Sequence, residues 1–129
     1  MARELISSNT EWERVVGYSR AVRDGRHLFI SGTTATDSSG KVVGVGDLYV
    51  QTVQVLKNIG EALAKSGLQF ESVIRTRMFV TDISRWREVA RAHSEVFCEI
   101  RPATTMVEVQ RLIDPAMLIE IEADALAPE

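Results

Sequence analysis

The sequence predicts an α+β fold: one mixed β-sheet with two helices gathered on a single face. Two segments with helical spacing, several with strict alternation, and their order along the chain carry that expectation. The order reads β-β-α-β-α-β-β, with a further short strand at Arg3 to Ile6. Two helices cannot cover both faces of a sheet that wide, so one partly apolar face needs another partner. Self-association is the usual way to supply it.

Near the start, YSRAVRDGRHLFISG reads as a hairpin from Tyr18 to Ser31 around Asp24-Gly25, a dipeptide that tolerates the positive backbone angles of a tight turn. The following TDSSGKVVGVGD is a loop, because Gly40, Gly44 and Gly46 would weaken any regular element there. Asp47 is placed to cap a helix that runs to Ser66, with an apolar stripe of Tyr49, Val53, Leu56, Ile59 or Gly60, and Leu63. Gly67 stands where a left-handed residue would close it.

SVIRTRMFVTD is a strand by its alternation and β-branched content, ending at Asp82. A second helix follows, with Ile83, Trp86, Val89, Ala90, His93, Val96 and Phe97 on one stripe. Pro102 cannot continue that helix, so the chain turns near Arg101 into a strand from Thr104 to Leu112, broken by Asp114-Pro115. Last, LIEIEADAL alternates Ile119, Ile121 and Ala123 with Glu120, Glu122 and Asp124.

Residues 1–129 are expected to form one domain, since no internal repeat or linker rich in Pro, Gly or Ser divides them. A net charge of -3 argues against a nucleic-acid partner. Cys98 is the only cysteine, which excludes an internal disulfide and a cysteine-rich zinc site and agrees with a reducing compartment. With no apolar run of the length a signal peptide or membrane span requires, the expected location is the cytoplasm.

Ordinary catalytic constellations are scarce. His27 lies in a strand and His93 on an apolar helical stripe, so both are read as structural, and no metal site is expected. Cys98 ends the same stripe and is read as a small buried hydrophobe. Ser31-Gly32 is outside any nucleophile-elbow pattern, and Gly44-Val45-Gly46 lacks the lysine and spacing of a phosphate loop. The row Glu120, Glu122, Asp124 must be solvated, ion-paired or functional. Cross-strand pairing with Arg75 or Arg77 is the simplest structural answer, and orienting water or a proton is the functional one.

Taken in order, GYSRAV, LFISG, the helix with Gln51, Leu56, Asn58 and Ile59, SVIRTRMFVTD, PA-x-T-x-VEV-x-RL and IEIEADA resemble the Rid family along nearly the whole chain. This family is also called the RidA/YjgF family of reactive-intermediate deaminases. The resemblance implies a bacillus-type chorismate-mutase-like fold, a homotrimer with a central barrel, and small-molecule clefts between subunits. It further implies hydrolysis of a 2-imino acid, such as 2-iminobutanoate or 2-iminopropanoate, or of its enamine tautomer, to a 2-keto acid and ammonia, with no cofactor.

By position in that pattern, Tyr18 matches a lining aromatic, Ser31 and Gly32 the Ser-Gly of the cleft, and Glu120 the acid that handles water. The departure is Thr104, where deaminating members carry an arginine that clamps the substrate carboxylate, and Met106 stands where many have cysteine. Threonine offers one hydroxyl and no charge, so it does not replace a bidentate guanidinium. Arg20, two residues after Tyr18, is the candidate to replace that arginine, with a surface ion pair as its structural alternative.

The resulting expectation is a Rid-like hydrolase of an imine, enamine or related metabolite, with Glu120 and Thr104 around a water and Tyr18, Ser31, Gly32 and Arg20 binding substrate. A non-catalytic trimer that binds a metabolite is the alternative. RNA cleavage, an activity attached to some relatives' names, has the least support, because no basic-aromatic stripe is present.

Overall fold

In the computed structural model, which describes residues 3–129, the strands join into one six-stranded mixed sheet. The strands are β1 (Glu4–Ile6), β2 (Ala21–Asp24), β3 (His27–Thr33), β4 (Val73–Val80), β5 (Ala103–Glu108) and β6 (Ile119–Leu126). The helices are α1 (Glu11–Val16), α2 (Leu48–Lys65) and α3 (Trp86–Phe97). Strand order is β1-β2-β3-β6-β4-β5, in which β4 and β5 are parallel and every other neighbouring pair is antiparallel. The expected α+β class and mixed sheet are therefore observed.

The local causes are mostly those the sequence offers. Gly25, at φ +63°, starts the two-residue link between Asp24 and His27, which pair across the β2-β3 hairpin. The Asp47 carboxylate accepts the Val50 amide at 3.0 Å and caps α2, while Gly67 takes the left-handed conformation just beyond its end. Ile119, Ile121 and Ala123 of β6 are fully buried against Leu48, Val55, Ile59 and Leu63 of α2, each large aliphatic contributing about 1.5–3 kcal/mol.

Besides Ile83 and Trp86, which are exposed at the start of the stripe predicted for α3, four details differ from expectation. The buried stripe of α2 is rotated from the predicted one: Leu48, Gln51, Thr52 and Val55 face inward, whereas Val53 is 43% exposed. Cys98 is exposed rather than buried, because α3 ends at Phe97 and that ring, not the thiol, enters the core. β5 stops at Glu108 instead of Leu112. Its partner β4 stops at Val80, and after the Val109 amide donates to Val80 O at 2.8 Å no ladder remains to extend.

The fourth difference is α1, absent from the predicted order. Thr10-Glu11-Trp12-Glu13 carries the Ser/Thr-x-x-Glu signature of a helix start. Glu13 reaches back to accept the Thr10 hydroxyl at 3.0 Å and the Ser8 amide at 3.2 Å, and it also takes the Ser8 hydroxyl. Gly17, at φ +89°, closes the helix.

One sheet face lies under α2 and α3, and the other carries Phe29, Arg77, Val107, Glu120, Glu122 and Asp124. Phe29 and Val107 are exposed there, as expected of a sheet with helices on a single side. Among the described residues no helix is long and apolar enough to cross a membrane.

A candidate active site at the β3 bulge

The β3-β6 ladder pairs Ile30 with Ala123 and Thr33 with Ile121, so the register slips by one residue at Ser31-Gly32. Such a bulge breaks the flat ladder and re-aims nearby side chains. The Ser31 amide donates to Arg20 O at 3.0 Å and its hydroxyl to Ser19 O at 2.7 Å, fastening the bulge to the segment before β2. Gly32 has no side chain, and the Glu120 carboxylate occupies that space: an ideal Cβ on residue 32 would stand 2.0 Å from Glu120 Oε2.

Arg20 is the central strut. Its Nη1 donates to Gly32 O at 2.8 Å and to Thr33 Oγ1 at 2.9 Å, and its Nη2 donates to Tyr18 OH at 3.1 Å. Its Nε lies 4.0 Å from Glu13 Oε2, with both side chains largely buried. The surface ion pair considered for Arg20 is thus replaced by a buried junction of four partners. Burial alone would raise the Glu13 carboxyl's pKa, but the bonds from Ser8 and Thr10 outweigh it and hold the group below the ordinary value.

Glu120 has the opposite environment. Loss of water raises its pKa, the nearby Arg20 charge opposes that rise, and Glu122 reinforces it; the net shift is upward. The rest of the acidic row is neutralised differently: Arg77 Nη1 lies 3.2 Å from Glu122 Oε1 and 3.3 Å from Asp124 Oδ2. This is one of the two cross-strand pairings anticipated for the row. Arg75 forms no ion pair among the described residues.

Tyr18, Arg20, Ser31, Gly32 and Glu120 therefore converge on one cleft of about 1080 Å³, which also takes in Trp12 of α1 and Ile113. Thr104 does not join them within the protomer. It pairs with Thr76 in the parallel β4-β5 ladder, and its Oγ1 lies 2.8 Å from that of Thr76, which is fully buried on the helical face. Thr76 Oγ1 in turn lies 3.0 Å from His93 Nε2 on α3. Thr104 thus points to one face of the sheet and Glu120 to the other.

His93 is structural in this setting, as expected: it packs on Phe97, with ring centroids 4.6 Å apart, and burial lowers its pKa. Two polar residues of α2 hold the loops around the cleft. Asn58 Nδ2 donates to Thr34 O at 3.0 Å and Thr36 O at 2.9 Å, while Gln51 Nε2 donates to Ala116 O at 2.8 Å and its Oε1 accepts the Leu118 amide at 2.9 Å. Among the described residues no group of three or more His, Cys, Asp or Glu side chains is arranged to hold a metal ion.

Residues 9–127 match the family model described as Endoribonuclease L-PSP. The chain belongs to the Rid (YjgF) family. Among Rid-family relatives, the human 2-iminobutanoate/2-iminopropanoate deaminase is 33% identical over 127 residues, covering 98% of this chain and 91% of the human one. An uncharacterized protein of Streptomyces coelicolor is 39% identical over 120 residues, covering 93% and 89% of the two chains.

A crystal structure of a YjgF/YER057c/UK114 family member from Mycobacterium tuberculosis superposes with a TM-score of 0.89 at 47% identity, covering 98% of this chain and 100% of that one. The YjgF gene product of E. coli does so with a TM-score of 0.85 at 28% identity, covering 97% and 99%. The Rid fold, anticipated from separate motifs, is thus shared across nearly the whole chain.

Proposed function

We propose that this Rid-family chain hydrolyses the C=N bond of a small imine, or its enamine tautomer, at a cleft that a second copy completes in a homotrimer. The observation that carries the reading is Glu120: a carboxyl with a raised pKa, seated in the space above Gly32 and without a salt-bridge partner among the described residues. An acid shifted toward neutrality exchanges protons in both directions more readily than an ordinary carboxylate.

In this reading Glu120, as the acid, gives its proton to the imine nitrogen. As the carboxylate it then takes a proton from water while the water oxygen bonds to the imine carbon, giving a carbinolamine. Glu120 passes that proton to the carbinolamine nitrogen, the C–N bond breaks with its electron pair leaving on nitrogen, and the hydroxyl proton returns to the Glu120 carboxylate. One imine and one water become one carbonyl compound and one ammonia. Tyr18 lines the cleft, while Ser31, Gly32 and Arg20 hold the bulge that aims Glu120.

Trimer formation is supported by the uncovered sheet face with Phe29 and Val107 and by β5, an edge strand whose residues are exposed or half-buried throughout. Thr104 would reach a small-molecule cleft only where this edge meets a neighbouring copy. The lone thiol suits a reducing compartment, so the cytoplasm belongs to the same proposal. RNA cleavage does not, given the net charge of -3.

A second reading, a non-catalytic metabolite-binding trimer, is favoured by one observation: the Thr104 hydroxyl is engaged by Thr76 and by Pro102 O at 3.2 Å. Imines generated by an amino-acid or amine oxidase, with ammonia release followed, separate the two. Turnover by the wild-type protein that is lost in Glu120→Gln supports hydrolysis. Activity appearing only in Thr104→Arg supports the binding role.

A further inference from the structure

Resting on the hydrolase reading, we propose that the preferred substrate is an imine or enamine with an apolar group and no carboxylate. Charge and surface in the cleft both point that way.

Of the guanidinium groups on the Glu120 side, only Arg20 lines the cleft; Arg75, which pairs with Asp124 in the β4-β6 register, does not. Arg20 donates to Gly32 O, Thr33 Oγ1 and Tyr18 OH beside Glu13, its Nε buried without a hydrogen-bond partner among the described residues, and Arg77 is shared by Glu122 and Asp124. Two lysines line the cleft, Lys57 and Lys65, but both stand on α2, across the sheet from Glu120, and Lys65 Nζ donates to Ser7 O at 2.9 Å. An arriving carboxylate would therefore find in the cleft one guanidinium, Arg20, whose two terminal nitrogens already donate within the protein. A neutral imine needs no such partner.

The same cleft exposes apolar surface. Trp12 is 42% exposed, Val16 67% and Ile113 65%, and all three line it together with Tyr18. Trp12 and Val16 stand four residues apart and so share one side of α1. Apolar lining around a few convergent polar groups is the usual composition of a small-molecule site, and a substrate's hydrocarbon or aromatic group fits it.

The test uses two imines that differ only in the carboxylate: that of phenethylamine, made by an amine oxidase, and that of phenylalanine, made by an amino-acid oxidase. Excess ammonia release over the spontaneous rate gives kcat/KM for each. The expected result is a preference of about ten-fold or more for the phenethylamine imine, reduced in Trp12→Ala. A preference for the phenylalanine imine overturns the inference while leaving the hydrolase reading standing.

Binding of unreactive phenylacetamide and phenylacetate, measured by calorimetry, decides the charge preference separately from turnover. Tighter binding of the amide supports the inference. Tighter or equal binding of the acid overturns it, even in a protein that hydrolyses neither imine.

Discussion

The Glu120 carboxylate lies where a side chain on Gly32 would stand, its Oε2 only 2.0 Å from an ideal Cβ on residue 32. The two residues sit on neighbouring strands, and the slipped β3-β6 register sets that approach. Gly32→Ala needs no unusual backbone angle, so the added methyl must displace the flexible carboxylate rather than the strand. Imine hydrolysis is expected to fall by about 100-fold, the scale of a displacement near 1 Å, with Tm almost unchanged. A fully active Gly32→Ala protein would break the link between this contact and the chemistry.

Thr76 joins two strands and a helix. Thr76→Val keeps the shape but leaves the Thr104 hydroxyl and His93 Nε2 without their shared partner. Urea unfolding is expected to show a loss of about 1–3 kcal/mol. An unchanged midpoint would mean that both groups find other partners.

Arg20 is expected to resist replacement by lysine. An ammonium cannot reproduce the fork that reaches Gly32 O, Thr33 and Tyr18 at once. Arg20→Lys should lower stability by about 1.5–3 kcal/mol, the worth of a hydrogen bond to a charged group, and should reduce turnover because the bulge under Glu120 loosens. Thermal unfolding and the oxidase-coupled assay read the two effects separately.

Glu120 also gives stability a pH signature. Its folded-state pKa is raised above that of an ordinary carboxyl, so the folded protein holds this proton more tightly than the unfolded chain does. That contribution is fully present below the unfolded value and is lost as pH rises through the folded one. Glu120→Gln cannot ionise. The stability of the variant relative to wild type should therefore increase from about pH 4 to about pH 7, as read by urea unfolding at each pH. A difference that shrinks over that range would contradict the desolvated carboxyl.

The sheet was legible in the sequence wherever one periodicity acted alone. LIEIEADAL shows its two faces because one of them packs on α2 and the other does not. The stripe of α2 was harder, since fully buried Gln51 and Thr52 spend their polarity on Ala116, Gly44 and Leu48 carbonyls and on the Leu118 amide, and so look solvent-facing in a hydropathy pattern. For α1 the Thr10–Glu13 signature was present, but six residues give too short a period to register. Of the site, Tyr18, Ser31, Gly32 and Glu120 were found by their place in a shared pattern, whereas the Arg20 junction with Glu13 depends on two segments meeting in space. The facing of Thr104 follows from parallel pairing with Thr76, a register that no local alternation encodes.

The central claim is that Glu120 performs proton transfer in C=N hydrolysis. Its most direct test is kcat/KM for oxidase-generated imines, with and without a carboxylate, for wild type and Glu120→Gln. We expect wild type to accelerate ammonia release over the spontaneous rate and Glu120→Gln to lose about 100-fold or more of that acceleration, while remaining folded. Equal rates for the two proteins would contradict the account.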